Sequence, residues 1–228
     1  METNYVITEQ NNYLTKVYGW MAVALSITGI IAYFTYLNSA IFQPLLQNNI
    51  FFYGLLIAQF ACVAYLSSAV KRMSAKMASL VFILYAVLNG FTFSFIFQLF
   101  TGDSIATSVL VTAGTFAVMS VVGYTTKTDL TKIGNFAFMA LVGLIILTLT
   151  NLFLHNEVIF QFSNYVGVLI FIVLLAHDTQ KIKQLNVIGN EGTDENKKEA
   201  IMGALTLYLD FINLFQYFIN LFGDRKYQ

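Results

Sequence analysis

The chain has 228 residues, of which 57% are hydrophobic and 11% are charged, and its formal net charge is zero. A soluble domain carries about a quarter charged residues, so this composition indicates a membrane protein. The absence of a net positive charge argues against nucleic acid as a partner. The single cysteine, Cys62, lies in an apolar stretch, which excludes an intrachain disulfide.

Seven stretches of the chain are apolar and long enough to cross a bilayer. A hydrocarbon core about 30 Å thick requires roughly 20 apolar residues of helix. The predicted transmembrane helices are Val17–Leu37, Ile50–Ala69, Met77–Phe97, Ser104–Tyr124, Phe136–Leu154, Val158–His177 and Ile201–Phe222. The expected fold class is all-α, a polytopic membrane protein in which residues 1–228 form a single seven-helix transmembrane domain.

The links between these helices are mostly short and leave no room for a soluble domain. The longest link, Thr179–Ala200, is polar, and it is expected to be a surface loop with a frayed helix at each end. The residues before the first helix are polar and include Glu2 and Glu9, which is unlike a cleavable signal peptide. The first helix is therefore expected to act as its own insertion signal.

The distribution of Lys and Arg predicts the orientation in the membrane. Alternate links, at residues 38–49, 98–103 and 155–157, contain neither residue type. This pattern predicts a multi-pass protein of the cell (inner) membrane with a cytoplasmic N-terminus. If the seventh helix spans the membrane fully, the C-terminus lies outside, and Arg225 and Lys226 fit less well with that placement. A re-entrant seventh segment is therefore an alternative to a full span. The basic residues of the remaining links are Lys16, Lys71, Arg72, Lys76, Lys127, Lys132, Lys181, Lys183, Lys197 and Lys198.

Two aspartates lie in apolar stretches of the chain, where an ionised carboxylate is energetically unfavourable. Asp178 follows the apolar run Val166–Ala176, and Asp210 has no charged residue within nine positions on either side. A charge at membrane depth costs several kcal/mol on the order of the insertion scales, so such a residue usually faces a cavity, a partner or an ion path. Asp210 lies roughly 13 Å into the seventh helix, at 1.5 Å per residue.

If the sixth helix continues through Lys183, Asp178 also lies below the membrane surface and the two carboxyls could meet. Two carboxylates at hydrogen-bonding distance cannot both ionise cheaply, so they would share a proton and act as a proton-responsive latch. Once opened and ionised, the pair offers the hard oxygen ligands that suit transient contact with Ca²⁺. The alternative for Asp178 is that it extends to the cytoplasmic interface, or that it caps the link near Lys181 and Lys183.

Other polar residues have more ordinary interpretations. His177 should point about 100° away from Asp178 around the helix, as an interfacial side chain, and His155 should be solvated in its link. Asn213 lies one turn from Asp210 and is a candidate lining residue of the same cavity. No cluster has zinc spacing and no P-loop, G-x-S-x-G or H-E-x-x-H motif is present, so an enzyme is not expected. A retinal protein is excluded because the seventh helix contains no Lys for a Schiff base.

Four segments of the chain have a distinctive sequence, and two of them contain the aspartates. The segments are Ala176–Ile182 (AHDTQKI), Ala204–Phe215 (ALTLYLDFINLF), Tyr124–Gly134 (YTTKTDLTKIG) and Leu84–Gly90 (LYAVLNG). Together they resemble the Bax-inhibitor-motif (TMBIM) membrane proteins, and the similarity extends over nearly the whole chain. The short tails and links resemble those of a bacterial member of the family.

The resemblance implies a fold in which the seventh helix is central and wrapped by the other six. It also implies a pH-sensitive passive calcium leak, gated by a di-aspartyl pair that matches Asp178 and Asp210. Some members of the family carry an Arg in the second helix that latches the pair. Here the second helix has no Arg and offers Gln59, a second candidate lining residue.

The expected partners are membrane lipids, calcium ions and protons, with Ca²⁺ as the permeant ion and no cofactor. Two alternatives to the leak stay open. One is a proton- or sodium-coupled cation transporter that uses the same carboxylates. The other is a membrane-embedded regulator that binds another membrane protein, such as a membrane protease. The leak is favoured because a regulator has less need for buried carboxylates.

Overall fold

The computed structural model describes residues 2–47, 49–185 and 190–226. Within these ranges the chain forms eight α-helices and no β-strand. The helices are α1 (Glu2–Leu37), α2 (Ser39–Gln47), α3 (Asn49–Ala69), α4 (Ala75–Leu99), α5 (Gly102–Thr125), α6 (Thr131–Leu154), α7 (Glu157–Leu185) and α8 (Asp194–Phe222).

Seven of the described helices, all except α2, are long and apolar enough to cross a membrane. The prediction of an all-α, polytopic membrane protein with seven spans is confirmed. In α8, 61% of the most apolar window is buried, a larger share than in any of the other spans. This is the behaviour expected of a central helix.

The predicted helix bounds were too short in several places. Helix α1 begins at Glu2, α7 continues to Leu185, and α8 begins at Asp194. The predicted loop Thr179–Ala200 is therefore helical at residues 179–185 and 194–200, and residues 186–189 lie outside the described ranges. The reason is that an apolar window measures only the hydrocarbon crossing, whereas polar residues continue the same backbone hydrogen bonds into the interface. The short helix α2, which contains Pro44, was not predicted at all.

By its internal contacts the chain divides into two compact units. Unit 1 comprises Met1–Phe100, Leu185–Tyr208 and Lys226–Gln228, and unit 2 comprises Thr101–Gln184 and Leu209–Arg225. Helix α8 therefore contributes its first half to unit 1 and its second half to unit 2. Asp178 and Asp210 both belong to unit 2.

In unit 1, a buried hydroxyl network connects α1, α4 and α8. The hydroxyls of Thr28 and Tyr208 are hydrogen-bonded at 2.7 Å, and Thr28 Oγ1 also donates to the carbonyl of Ala86 at 2.9 Å. The Tyr208 side chain is fully buried, and the rings of Phe82 and Tyr85 contact it edge-on. Interhelical hydrogen bonds of this kind help to hold helices together where lipid supplies no hydrophobic driving force.

In unit 2, glycines allow three helices to approach α7 closely. A Cβ on Gly123 of α5 would lie 2.2 Å from the carbonyl oxygen of Ala176. Gly134 of α6 lies against the imidazole of His177, and Gly167 of α7 itself lies against the ring of Tyr217 on α8. The apolar core of the unit consists of Ala137, Leu144, Ile170, Phe171, Leu174, Leu214 and Phe218.

The close approach at Gly123 can be tested with a matched pair of substitutions on the same helix. Gly123→Ala should lower the free energy of unfolding by about 1–3 kcal/mol, because the methyl group overlaps the backbone of α7. Gly114→Ala is the control, since a Cβ at Gly114 meets no atom within 4 Å. Thermal unfolding of the purified protein in detergent should show a lower Tm for Gly123→Ala only. Equal Tm values for the two variants would contradict the packing described here.

Candidate functional site

Asp210 is buried in α8 with one oxygen unsatisfied. Its side chain is 5% exposed, and its Oδ2 has no hydrogen-bond partner among the described residues. A carboxylate oxygen that is withdrawn from water without a donor is costly, and more so in a bilayer. Such an arrangement is unusual for a purely structural residue and is typical of functional sites.

Asp178 lies in α7, about two turns before the helix ends at Leu185. Its side chain is 18% exposed, so it lies below the end of the helix and not at a frayed terminus. Lys181 is near enough to act on it electrostatically. Lys183 instead donates to the carbonyl of Tyr124 at 3.0 Å and lies over the Tyr124 ring. Lys183 is therefore bonded to α5 and not to Asp178.

The two carboxyls interact electrostatically within unit 2. Two contacts set the register between α7 and α8: Asn220 Nδ2 donates to Asn164 Oδ1 at 3.3 Å, and Tyr217 packs on Gly167. Because these contacts show antiparallel helices, Asp210 lies level with residue 174. The aspartates are then separated along the helix axes by about one turn, roughly 6 Å.

His177 was predicted to point away from Asp178, and this prediction was wrong. His177 Nδ1 and Asp178 Oδ1 lie 2.7 Å apart in a hydrogen bond. The imidazole is 15% exposed and is packed on Gly134, where a Cβ would lie 2.2 Å from its Cδ2. The angle of about 100° between successive helical positions separates the Cβ atoms but leaves the side chains free to turn towards each other. His155, by contrast, is exposed as predicted.

The two candidate lining residues have their amides bonded elsewhere. Gln59, in unit 1, donates to the carbonyl of Leu88 at 3.1 Å and to the hydroxyl of Thr92. Asn213, in unit 2, donates to the carbonyl of Leu209 in its own helix at 2.7 Å. Their role as lining residues stays a prediction.

Sequence reasoning missed Gln180, which anchors the link between α5 and α6 to α7. Its Oε1 accepts from the backbone N–H of Leu130, and its Nε2 donates to the carbonyl of Thr128, each at 2.9 Å. Gln180 lies two residues after Asp178, so this link is attached next to the candidate site. Its position in the segment AHDTQKI was the available signal, but its partner could not be identified before the helices were packed.

The link also contains Asp129, a carboxylate at the protein surface. Asp129 accepts hydrogen bonds from the hydroxyl of Thr131 at 2.6 Å and from the backbone N–H of Thr131 at 2.9 Å. These bonds hold the pKa of Asp129 below its ordinary value. Asp129 therefore stays ionised at neutral pH, and it lies near enough to His177 to act on it electrostatically.

The pair offers carboxyl oxygens as its only ligand groups. Among the described residues, no three His, Cys, Asp or Glu side chains are grouped so that they could hold a metal ion. Resident calcium sites use six to eight oxygen ligands. Two carboxyl groups alone offer fewer oxygens than such a site uses.

Comparison with known proteins gives a consistent result. A family model described as "Inhibitor of apoptosis-promoting Bax1" matches residues 10–226. The chain is 44% identical to "Inner membrane protein YbhL" of Escherichia coli strain K12 over 215 residues, covering 94% of this chain and 92% of that protein. It is 39% identical to an uncharacterized protein of Borreliella burgdorferi, covering 95% and 94% of the two chains. An uncharacterized membrane protein of Streptococcus pyogenes is 30% identical, with 93% of each chain covered.

The anchoring role of Gln180 predicts a local change in hydrogen exchange. Gln180→Ala removes two hydrogen bonds, each worth about 0.5–1.5 kcal/mol, so backbone amides in residues 126–131 should exchange roughly ten-fold faster or more. Gln184→Ala, at an exposed position one turn further along α7, is the control. Hydrogen–deuterium exchange measured by mass spectrometry distinguishes the two. Unchanged exchange in this link after Gln180→Ala would refute the anchor.

Proposed function

Because the chain belongs to the Bax inhibitor family of membrane proteins, we propose that it is a pH-sensitive passive calcium leak channel gated by Asp178 and Asp210. The role proposed is non-enzymatic and needs no cofactor, with Ca²⁺ as the permeant ion and protons as the regulator. The buried, unsatisfied carboxyl of Asp210 beside Asp178 is the observation that carries the proposal.

The proposed gate depends on the charge state of two carboxyls on different helices. With one proton between them, Asp178 and Asp210 can share a hydrogen bond, which would hold α7 and α8 together. With both ionised, the carboxylates repel each other and expose oxygens that can replace part of the hydration shell of Ca²⁺. The axial offset of about one turn requires only side-chain rotation and a small helix shift for the two states to exchange.

The sign of the pH dependence follows from this mechanism. Lowering the pH adds the shared proton and favours the closed state, and raising the pH removes it and favours conduction. In the family, an Arg in the second helix latches some di-aspartyl pairs, and this chain has none there. We propose that His177, bonded to Asp178 at 2.7 Å, takes the place of this partner.

The proposed location is the cell (inner) membrane, with a cytoplasmic N-terminus. The name of the Escherichia coli relative, "Inner membrane protein YbhL", supports the membrane assignment. The orientation rests on the placement of Lys and Arg in alternate links. In that orientation the ends of α7 and α5 near Asp178 face the cytoplasm, so cytoplasmic pH would control the gate.

The function can be tested by Ca²⁺ entry into proteoliposomes that contain an indicator dye. For the wild-type protein, entry should fall as the pH is lowered from about 8 to about 6, because the pair is then protonated. Asp210→Asn should flatten this pH profile. Glu157→Gln, which removes an exposed carboxylate from the other end of α7, should keep the wild-type profile.

Two other outcomes of this experiment would favour the regulator or the coupled transporter. Absence of flux in all three proteins, with correct insertion verified by protease protection, would replace the leak with a regulator that binds another membrane protein. Transport against a Ca²⁺ gradient that stops when a proton or sodium gradient is dissipated would replace it with a coupled transporter.

A further inference from the structure

Helix α5 buries a stripe of hydroxyl groups instead of an apolar face. Four hydroxyl residues are buried at intervals of four positions, and one aromatic residue interrupts them. The exposed fractions are 7% for Ser104, 2% for Ser108, 0% for Thr112, 7% for Phe116 and 8% for Ser120. The apolar side chains of the same helix are on its exposed side, as at Leu110, which is 72% exposed.

Two contacts fix this stripe in unit 2, one against the second half of α8 and one against the residues that follow it. The backbone N–H of Asp224 donates to Ser104 Oγ at 2.9 Å, and the rings of Phe116 and Phe211 meet edge-on with centroids 5.7 Å apart. Since the two contacts show antiparallel helices, Ser108 lies about level with Asn220. Asn220 is bonded to Asn164, so polar groups of three helices occur at this depth.

The interior of unit 2 differs from ordinary helix packing because some of its buried polar atoms have no hydrogen-bond partner in the protein. Buried Ser and Thr hydroxyls commonly donate to the carbonyl four residues earlier, as Thr112 does to Ser108 at 2.7 Å. Ser120 Oγ, Ser163 Oγ, Thr179 Oγ1 and Asp210 Oδ2 have no hydrogen-bond partner among the described residues. All four side chains are at least nine-tenths buried. Buried polar atoms without protein partners are normally satisfied by water.

The Phe116–Phe211 contact divides these polar groups into two sections. Ser104, Ser108 and Thr112 lie on one side of Phe116 along α5, and Ser120 lies on the other. Phe211 directly follows Asp210 in α8, so the aromatic contact adjoins the aspartate pair. Apolar constrictions in channels stop ions because a narrow apolar section excludes water.

We propose that the hydroxyl stripe of α5 lines the route of water and hydrated cations through unit 2, with Phe116 and Phe211 as its apolar constriction. This inference rests on the proposed leak function and identifies the path by which ions reach Asp210. Ser104, Ser108 and Thr112 line the section that begins at the N-terminus of α5. Ser120 and Thr179 lie in the section that contains the aspartates.

The first test measures whether water reaches the stripe and does not depend on calcium flux. The single native cysteine is replaced by Cys62→Ser, and Ser108→Cys is compared with Leu110→Cys in proteoliposomes. The probe is a membrane-impermeant, positively charged methanethiosulfonate added on the side of the α5 N-terminus. Because this reagent requires a hydrated thiolate, Ser108→Cys should react at least about ten-fold faster than the lipid-facing control.

The constriction predicts a second labelling difference. Ser120→Cys should react slowly from the same side, and adding Phe116→Ala should accelerate its modification. Phe138→Ala, which truncates a ring of α6 that is 60% exposed, should not accelerate it. Phe116→Ala should also increase Ca²⁺ entry at high pH several-fold, whereas Phe138→Ala should leave it unchanged.

The outcomes distinguish this inference from the proposed function. Failure of Ser108→Cys to react faster than Leu110→Cys, in protein that elutes as a monodisperse peak, would overturn the route. Rapid modification of Ser108→Cys without Ca²⁺ flux in the unmodified protein would retain a hydrated route and overturn the calcium leak. Equal acceleration by Phe116→Ala and Phe138→Ala would remove the constriction from the proposal.

Discussion

The position of Asp210 determines much of what unit 2 must contain. A carboxyl group in the middle of a transmembrane helix needs protons, water, cations or hydrogen-bond donors around it, because hydrocarbon supplies none of them. In this chain unit 2 supplies another carboxyl that interacts with it, a histidine bonded to that carboxyl, and buried hydroxyls without hydrogen-bond partners. An environment with unsatisfied polar atoms resists a change of charge less than a fully bonded polar cluster does.

The glycine contacts of α7 explain why the helices around this polar environment pack closely together. Gly123 brings α5 against the backbone of α7, while Gly134 of α6 and Gly167 of α7 make room for the rings of His177 and Tyr217. Charged groups between helices held this closely are screened less than groups in bulk water. Electrostatic interactions between Asp178, Asp210 and His177 are therefore stronger than they would be at the surface. The same packing places Gln180 on the α5–α6 link, so a shift of α7 is transmitted directly to that link.

The sequence contained the information for the spans and for the two aspartates, because each depends on one segment alone. Twenty apolar residues define a crossing, and a charge inside such a run is visible without knowing its neighbours. The helix ends at Leu185 and Asp194 were missed because polar residues extend a helix without changing its apolar length. The His177–Asp178 bond and the anchoring by Gln180 depend on rotamers and on the pairing of helices, which no single segment specifies.

The hydroxyl stripe on α5 could be predicted from the sequence only in part. Its spacing of four residues can be read in the sequence, but Thr107 and Thr115 on the same helix are also hydroxyl residues, and neither is buried. In a chain this apolar, hydroxyls on every side of a helix give no sign of which side faces the protein. Only the packing against Asp224 and Phe211 identifies the buried side.

The spacing of the stripe also has a geometric consequence. An α-helix turns about 100° per residue, so a step of four residues advances about 40° around the axis, and Ser120 is turned about 160° from Ser104. The stripe is a spiral. Ser104, at one end, contacts the residues that follow α8, whereas Gly123, three residues beyond Ser120, contacts α7. A rotation of α5 about its own axis would turn one end outward while turning the other end further inward. Rotation of α5 would therefore be an inefficient way to open or close a route lined by this spiral. Displacement of one ring of the constriction would change the width of the route at a single point.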